Sequence, residues 1–388
     1  MRRQENPLLS TRFSMSSGGS LLGISCRHRQ VNQNLLAIDF LPNMTSTLST
    51  AALRRSLQAA ASKSASRQIG GALTSSCFLA NHPNRSLSSS ASGTFDSIGV
   101  VGLGLMGHGI CQVAAASGVH SSVVAYEPEQ QYLVKGRARI EGSVNKLLSK
   151  GKISQEQADA TLGSITYTTD PSDLSNTDFI VEAVIENMDL KKDLYGSLGS
   201  VCKPETIFAS NTSSLSITEM AEISGRPDRF VGVHFFNPVQ IMKLVEVIKT
   251  DHTEQAVFDA AYNWVGDIGK VAVTCRDTPG FIVNRLLVPS LMQAILMLER
   301  GDASCQDIDI SMQLGAGHPM GPLTLADYVG LDTCYYIMEG WCTKFPDEPA
   351  FEMPAILKAK VDAGDLGRKT GKGFYNWDGD KRGDPVVE

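Results

Sequence analysis

The stretch that decides the fold runs from Ser97 to Gly118 and reads SIGVVGLGLMGHGICQVAAASG. An apolar run typical of a buried strand is joined to a helical run of small residues by a turn with the spacing G-x-G-x-x-G, formed by Gly102, Gly104 and Gly107. The first glycine permits a tight turn, the second lets the backbone approach a pyrophosphate, and the third lets the helix pack close to the strand. The free N–H groups at the start of the helix would face the phosphates.

An acidic residue follows this turn at a distance that is typical of dinucleotide-binding proteins. The next strand-like run, SSVVAYE, ends in Glu127, 20 residues beyond Gly107. An acid at this place binds the ribose hydroxyls and repels a 2′-phosphate, so the pattern favours NAD over NADP. The alternative interpretation is a glycine-rich turn in some other α/β protein, and the strand, the helix and the acid together favour the cofactor.

The rest of the chain divides into a part rich in β runs and a helical part. Short β-rich runs alternate with helical segments as far as Arg276, which predicts a doubly wound, Rossmann-type sheet over residues 94–276. The β runs then stop, and the periodicity predicts an all-α C-terminal domain over residues 277–388. The fold class is therefore α/β with a helical second domain.

Composition narrows the function classes. Charged residues make up 20% of the chain and hydrophobic residues 42%, as in ordinary globular proteins, and no apolar run is long enough to predict a membrane span. The net charge is −6, but residues 1–93 carry +8, so the remainder is strongly acidic and a poor nucleic-acid binder. The eight cysteines include no C-x-x-C pair, which indicates free thiols in a reducing compartment and no metal site.

The first 93 residues have the composition of a targeting segment. They are basic, rich in Ser and Ala, and contain only two acids, Glu5 and Asp39. This pattern is typical of an organellar transit peptide, for the mitochondrial matrix first and the plastid second. The alternatives are a disordered tail without function and a wrongly assigned start codon, because Met44 opens a presequence-like run of its own.

A second stretch, VGVHFFNPVQIMKLVEV at residues 231–247, places ionisable groups in apolar surroundings. Two strand-like runs are joined by NPVQIM, and His234 and Glu246 lie twelve residues apart across that turn. A carboxylate among Leu, Val and Ile is costly unless it is paired, and the histidine is the evident partner. Such a pair fixes the tautomer of the imidazole and suits proton transfer to or from an alcohol.

With these motifs in view, the chain resembles the 3-hydroxyacyl-CoA dehydrogenases, and within them the short-chain 3-hydroxybutyryl-CoA dehydrogenases. The resemblance covers residues 96–377. The motifs that carry it, in chain order, are VGLGLMG, FIVEAVIEN, FASNTSSLSIT, HFFNPVQIMKLVEV, DTPGFIVNRLL, GAGHPMGPLTLADYVGLD and LGRKTGKGFY.

The resemblance implies a role for each matching residue. His234 matches the catalytic base and Glu246 the carboxylate that orients it, while Ser213 and Asn284 match residues that orient the substrate. The positions that match cofactor contacts are Gly102, Leu103, Gly104, Leu105, Met106, Gly107, Glu127, Glu186, Lys191, Ser213 and Lys369. The positions that match contacts to coenzyme A are Ser143, Lys150 and Ser213. It also implies NAD as cofactor, an acyl-CoA thioester substrate, a role in fatty-acid β-oxidation and a homodimer.

Some alternatives stay open at this point. Ser213 is also compatible with a turn, Asn284 with a helix cap, and Lys150 and Lys191 with solvated helix surfaces. The chain departs from the family at Gln240, where proline is usual, and this change should reshape a loop without removing a catalytic group. The rival functions are a dehydrogenase of free 3-hydroxyacids and a non-catalytic relative of the fold.

Overall fold

The computed structural model describes residues 94–386, and the segment predicted to be a transit peptide lies outside them. The larger sheet has eight strands in the order β3-β2-β1-β4-β5-β6-β7-β8. Its strands are β1 Ser97–Val101, β2 Ser122–Tyr126, β3 Ile165–Thr168, β4 Phe179–Glu182, β5 Ile207–Ser210, β6 Phe230–Phe235, β7 Leu244–Lys249 and β8 Val271–Arg276. Neighbouring strands are parallel except for β6 and β7, which run antiparallel.

Helices cover both faces of this sheet because its central strands are apolar on both sides. In β4, for example, Phe179 and Val181 enter the core on one face and Ile180 enters the core on the other. The helices of this part are α1 Gly107–Ala116, α2 Gln130–Ser149, α3 Gln155–Gly163, α4 Met188–Val201, α5 Ile217–Ile223 and α6 Gln255–Asp267. Residues of α1, α2 and α6 pack in the first core, and residues of α4 and α5 pack in the second.

The strand order places a crevice above β1 and β4. The chain leaves β1 toward β2 on one side and later returns to β4 on the other, so the connections diverge at the carboxyl ends of these two strands. Ligands of open α/β sheets bind at such a switch point. The glycine-rich turn at Gly102 and the end of β4 at Glu182 both lie at this edge.

The C-terminal part is helical, as predicted, and has its own apolar core. Its helices are α7 Val283–Glu299, α8 Cys305–Gly315, α9 Pro322–Val329, α10 Leu331–Lys344 and α11 Ala355–Ala363. A short hairpin that the sequence pattern does not predict closes the domain, with β9 at Tyr375–Asp378 and β10 at Lys381–Pro385. β9 alternates apolar and polar residues over only four positions, and β10 is polar and almost entirely exposed, so neither gives a strong strand signal in the sequence.

Buried carboxylates hold this hairpin against the helices. Asp327 of α9 accepts hydrogen bonds from the backbone N–H groups of Phe374 and Tyr375, at 2.8 and 2.9 Å, and from the indole of Trp377 at 2.9 Å. Burial raises the pKa of the Asp327 carboxyl to about 6. No helix within residues 94–386 combines the length and the apolar character needed to cross a membrane.

Candidate active site

The glycine-rich turn has the geometry that a dinucleotide requires. Gly102 adopts φ +88°, and a Cβ on Gly107 would lie 1.7 Å from the carbonyl oxygen of Gly102, so only glycine fits at this crossing. Gly104 is exposed, and a Cβ there would meet nothing within 4 Å, so its backbone faces open space. Helix α1 starts at Gly107 without a side-chain cap, which leaves the N–H groups of its first turn to a ligand.

Glu127 closes the turn from the end of β2. Its Oε2 accepts a hydrogen bond from the backbone N–H of Leu103 at 3.0 Å, so the carboxylate is held directly beside the glycines. Leu105, the exposed residue at the tip of the turn, and Met106 complete the segment. The residues present therefore fit NAD: a backbone cradle for phosphates and, next to it, an acid placed for ribose hydroxyls.

His234 and Glu246 lie directly opposite each other on the antiparallel strands β6 and β7. The Nδ1 atom of His234 is 2.7 Å from Oε2 of Glu246, and both side chains are buried. A carboxylate accepts only, so the neutral imidazole carries its proton on Nδ1 and Nε2 is free to act as a base. The rings of Phe236 and Phe281 pack against the imidazole, with centroids 4.5 and 5.7 Å away.

The second oxygen of Glu246 reaches the helical domain. Oε1 accepts hydrogen bonds from the backbone N–H groups of Ile282 and Val283, at 3.1 and 2.9 Å, at the start of α7. This helix has no capping side chain of its own, so Glu246 takes that place from another domain. Asn284, the next residue, is buried in the first turn of the same helix. One carboxylate therefore positions both the histidine and the segment that carries Asn284.

The turn before α7, at Gly280 and Phe281, has an unfavourable backbone conformation and places the start of the helix beside Glu246. Gly280 has φ +75°, and a Cβ there would lie 2.5 Å from the Trp341 ring. Phe281 has φ +53°, which is unfavourable for a residue with a bulky side chain. Strain of this kind is of order 1 to 3 kcal/mol and persists where the surrounding contacts enforce it.

Ser213 lies just beyond β5 and is held by Glu186. The Glu186 Oε1 atom accepts hydrogen bonds from the backbone N–H of Ser213 at 2.7 Å and from its hydroxyl at 3.3 Å. The hydroxyl of Thr212 donates to the same carboxylate at 2.8 Å. Asn211 joins this segment to the strand of His234, since its Oδ1 accepts from the N–H of Phe235 at 2.8 Å.

Lys191 does not lie on a solvated surface. Its side chain is 1% exposed, and its ammonium contacts Glu182 at 2.8 Å and Glu186 at 3.4 Å. Sequence reasoning missed Glu182, although the signal was available. Glu182 ends the apolar strand FIVE, and the cost of burying a carboxylate there is the same argument that identifies Glu246.

The remaining predicted contacts lie apart from these residues. Ser143 is half-buried within α2, and Lys150 is exposed at its C-terminal end. Lys369 belongs to the helical domain, where its ammonium pairs with Asp332 at the start of α10. Their ligand contacts stay predictions.

The loop between β6 and β7 is fixed from two sides. The side-chain amide of Gln240, the departure from the family pattern, donates to Oε1 of Gln112 in α1 at 2.9 Å. The Lys270 ammonium donates to the carbonyl oxygens of Val239 and Met242. Burial lowers the pKa of Lys270 to about 8, and Lys243 nearby acts in the same direction. The glutamine thus ties the cofactor helix to the loop that follows His234.

Comparisons with known proteins bear on the family of the chain and on its fold. A family model for the NAD-binding domain of 3-hydroxyacyl-CoA dehydrogenases matches residues 97–278, and a model for their C-terminal domain matches residues 280–377. The chain is 48% identical over 284 residues to the mitochondrial hydroxyacyl-coenzyme A dehydrogenase of Homo sapiens, covering 72% of this chain and 90% of the relative. It is 47% identical over 283 residues to a probable 3-hydroxybutyryl-CoA dehydrogenase of Deinococcus radiodurans, covering 72% and 99%. The crystal structure of (S)-3-hydroxybutyryl-CoA dehydrogenase from Ralstonia eutropha superposes with a TM-score of 0.71 at 39% identity, over 73% of this chain and 99% of the other.

Proposed function

The chain belongs to the 3-hydroxyacyl-CoA dehydrogenase family, and we propose that it interconverts L-3-hydroxyacyl-CoA and 3-ketoacyl-CoA with NAD, with a preference for short chains such as 3-hydroxybutyryl-CoA. The preference rests on the relatives named 3-hydroxybutyryl-CoA dehydrogenase. Both domains of the family are matched, and the residues of the glycine-rich turn fit the cofactor.

The observation that carries the proposal is the buried pair of His234 and Glu246. The carboxylate on Nδ1 leaves Nε2 of His234 as the base that takes the proton of the 3-hydroxyl group. NAD⁺, which the glycine-rich turn and Glu127 would hold, would supply the hydride acceptor for C3. Glu246 stabilises the imidazolium that forms, and in the reverse direction His234 returns the proton to the carbonyl oxygen of the ketoacyl group.

Two further residues orient the substrate. Ser213, held by Glu186, and Asn284, held through the start of α7, offer hydrogen bonds from opposite domains. Because Ser213 and Asn284 are both held through carboxylates, Glu186 for Ser213 and Glu246 for the start of α7, the reacting carbon would be presented in a fixed geometry. Positioning of this kind supplies much of the rate. Ser143 of α2 and Lys150, which directly follows this helix, are proposed to contact coenzyme A, and the Lys150 ammonium would pair with a phosphate group.

A steady-state assay of NADH oxidation tests the activity and the chain-length preference together. We expect the highest kcat/KM with acetoacetyl-CoA and a decline toward 3-ketopalmitoyl-CoA. Free acetoacetate should not be turned over, and His234→Gln should abolish turnover while leaving NADH binding nearly intact. Turnover of free acetoacetate at a kcat/KM equal to that of its thioester would identify a dehydrogenase of free acids, and the absence of any turnover would identify a non-catalytic relative.

We further propose that the enzyme acts in fatty-acid β-oxidation in the mitochondrial matrix and forms a homodimer. The basic, acid-poor composition of residues 1–93 and the mitochondrial relatives support the location. The homodimer rests on the resemblance to the family. Sedimentation equilibrium of residues 94–388 tests it, and a monomer at micromolar concentration would refute it.

A further inference from the structure

Glu182 accepts five hydrogen bonds at the carboxyl edge of the sheet, and the resemblance to the family assigns it no role. Glu182 ends β4 with 0% exposure. Its carboxylate accepts hydrogen bonds from the Lys191 ammonium at 2.8 Å to each oxygen, from the Ser210 hydroxyl at 2.6 Å, from the Tyr195 hydroxyl at 3.1 Å and from the Val184 N–H at 2.8 Å. A carboxylate so enclosed cannot touch a ligand in this conformation.

The Lys191 ammonium lies between two carboxylates of unequal exposure. Glu182 is fully buried, whereas the side chain of Glu186 is 11% exposed. The shorter contact is with Glu182, at 2.8 Å against 3.4 Å for Glu186. Glu182 is therefore the main partner of the Lys191 ammonium, and the oxygens of Glu186 remain available to accept hydrogen bonds from Thr212 and Ser213.

We propose that Glu182 is a positioning residue for Ser213, acting through Lys191 and Glu186. This inference rests on the proposed function, because Ser213 is assigned there to orient the substrate. Glu182 lies at the end of β4, Lys191 in the first turn of α4, and Ser213 in the segment after β5. All three places are at the carboxyl edge of the sheet. Lys191, whose side chain is 1% exposed, then contributes to the site by fixing Glu186.

Removing the charge of Glu182 should redirect Lys191. In Glu182→Gln the Lys191 ammonium has only the carboxylate of Glu186 left as a partner. Because an unpaired buried charge is strongly destabilising, the ammonium should form a closer ion pair with Glu186. The Glu186 oxygens that now accept from the N–H and hydroxyl of Ser213 would turn toward the ammonium. Ser213 loses its charged acceptor, and since hydrogen bonds to charged groups are the strong ones, kcat should fall by about tenfold or more.

The test is a double-mutant cycle measured as kcat with saturating acetoacetyl-CoA and NADH. Wild-type turnover is established first, so failure of the proposed function is seen separately. If Glu182 acts through Ser213, Glu182→Gln should lower kcat about tenfold alone but less than about threefold in a Ser213→Ala background. An equal loss in both backgrounds would overturn the proposal. Tyr195→Phe is the matched control, since it removes one hydrogen bond from the same carboxylate and keeps its charge, and its kcat should stay within about twofold of wild type.

A second variant tests the route through Lys191 and serves if Glu182→Gln does not fold. Glu182→Gln combined with Lys191→Met removes both members of the ion pair, so no unpaired charge remains buried, and such replacements are often neutral for stability. No ammonium is then left to draw the Glu186 oxygens away from Thr212 and Ser213, so kcat should recover to within about threefold of wild type. A kcat that stays about tenfold below wild type although the melting temperature recovers would overturn the route through Lys191 and Glu186.

Discussion

Replacing Glu246 with glutamine should invert the tautomer of His234. The carboxylate accepts on both sides, from Nδ1–H of His234 and from the N–H groups of Ile282 and Val283. An amide has one oxygen, so glutamine can serve only one side as an acceptor. If its oxygen faces the helix, its NH₂ group faces Nδ1 and forces the imidazole proton onto Nε2, where it blocks the base.

The structure sets the size of this effect. Turning the amide the other way would leave the N–H groups of Ile282 and Val283 facing a donor. Each buried group without a partner costs about 1 to 3 kcal/mol, so the blocking orientation is favoured by about 2 to 6 kcal/mol. Because about 1.4 kcal/mol corresponds to a factor of ten, kcat should fall by between about 30-fold and about 10⁴-fold.

The assay is kcat with saturating L-3-hydroxybutyryl-CoA and NAD⁺, the direction in which His234 acts as the base, and ¹⁵N chemical shifts of the imidazole report the tautomer directly. The matched control is Asp309→Asn, because Asp309 is another buried carboxylate that accepts from N–H groups at a helix start, those of Leu323 and Thr324. This control should lower the melting temperature and leave kcat within about twofold. The double variant with His234→Gln should be scarcely slower than His234→Gln alone, since the pair acts as one unit. A Glu246→Gln protein with more than about a third of wild-type kcat, or with its proton on Nδ1, would refute the reasoning.

Three other predictions concern the cofactor, the helical domain and the first 93 residues. Glu127→Ala should raise the ratio of kcat/KM with NADPH to kcat/KM with NADH, because the carboxylate that repels a 2′-phosphate is gone; an unchanged ratio contradicts the assignment. Burial raises the pKa of Asp327 from 3.8 to about 6, so its contribution to stability is full below about pH 4 and is lost as the pH rises through about 6. The free energy of unfolding of the wild type minus that of Asp327→Asn, from urea titrations, should therefore shrink between pH 4 and pH 7, and a constant or growing difference is the contrary result. A fluorescent protein fused to residues 1–93 should enter mitochondria, whereas plastid import would favour the second location and a cytosolic signal would count against targeting altogether.

Local patterns predicted the sheet and the helical domain because strands and helices differ in their apolar period. The glycines of the turn and the distance to Glu127 were equally local signals. The pairing of His234 with Glu246 was accessible for the same reason, since a single turn separates their strands. Two elements were missed: β3, only four residues long, and the hairpin of β9, also four residues long, and the polar strand β10.

Contacts between distant segments could not be predicted in this way. The bond from Glu246 to the start of α7 joins residues 36 and 37 positions apart, and nothing in either segment alone indicates it. The cluster around Glu182 draws on β4, α4 and β5, which meet only once the sheet has formed. Burial of Lys191 likewise depends on that assembly, since lysine on a helix is usually solvated.

The connection between β8 and α7 has consequences for the recombination of related sequences. Asp277 anchors its beginning, accepting hydrogen bonds from the Ser216 hydroxyl and the Thr218 N–H, and Glu246 anchors its end at Ile282. Ser216, Thr218 and Glu246, which hold the two ends, all belong to the sheet domain, so the length of chain between the ends is fixed by the domain that does not contain α7. A chimera that takes its helical half from a relative would therefore fold both halves, yet lack turnover, if its crossover added or removed a single residue between Asp277 and Ile282.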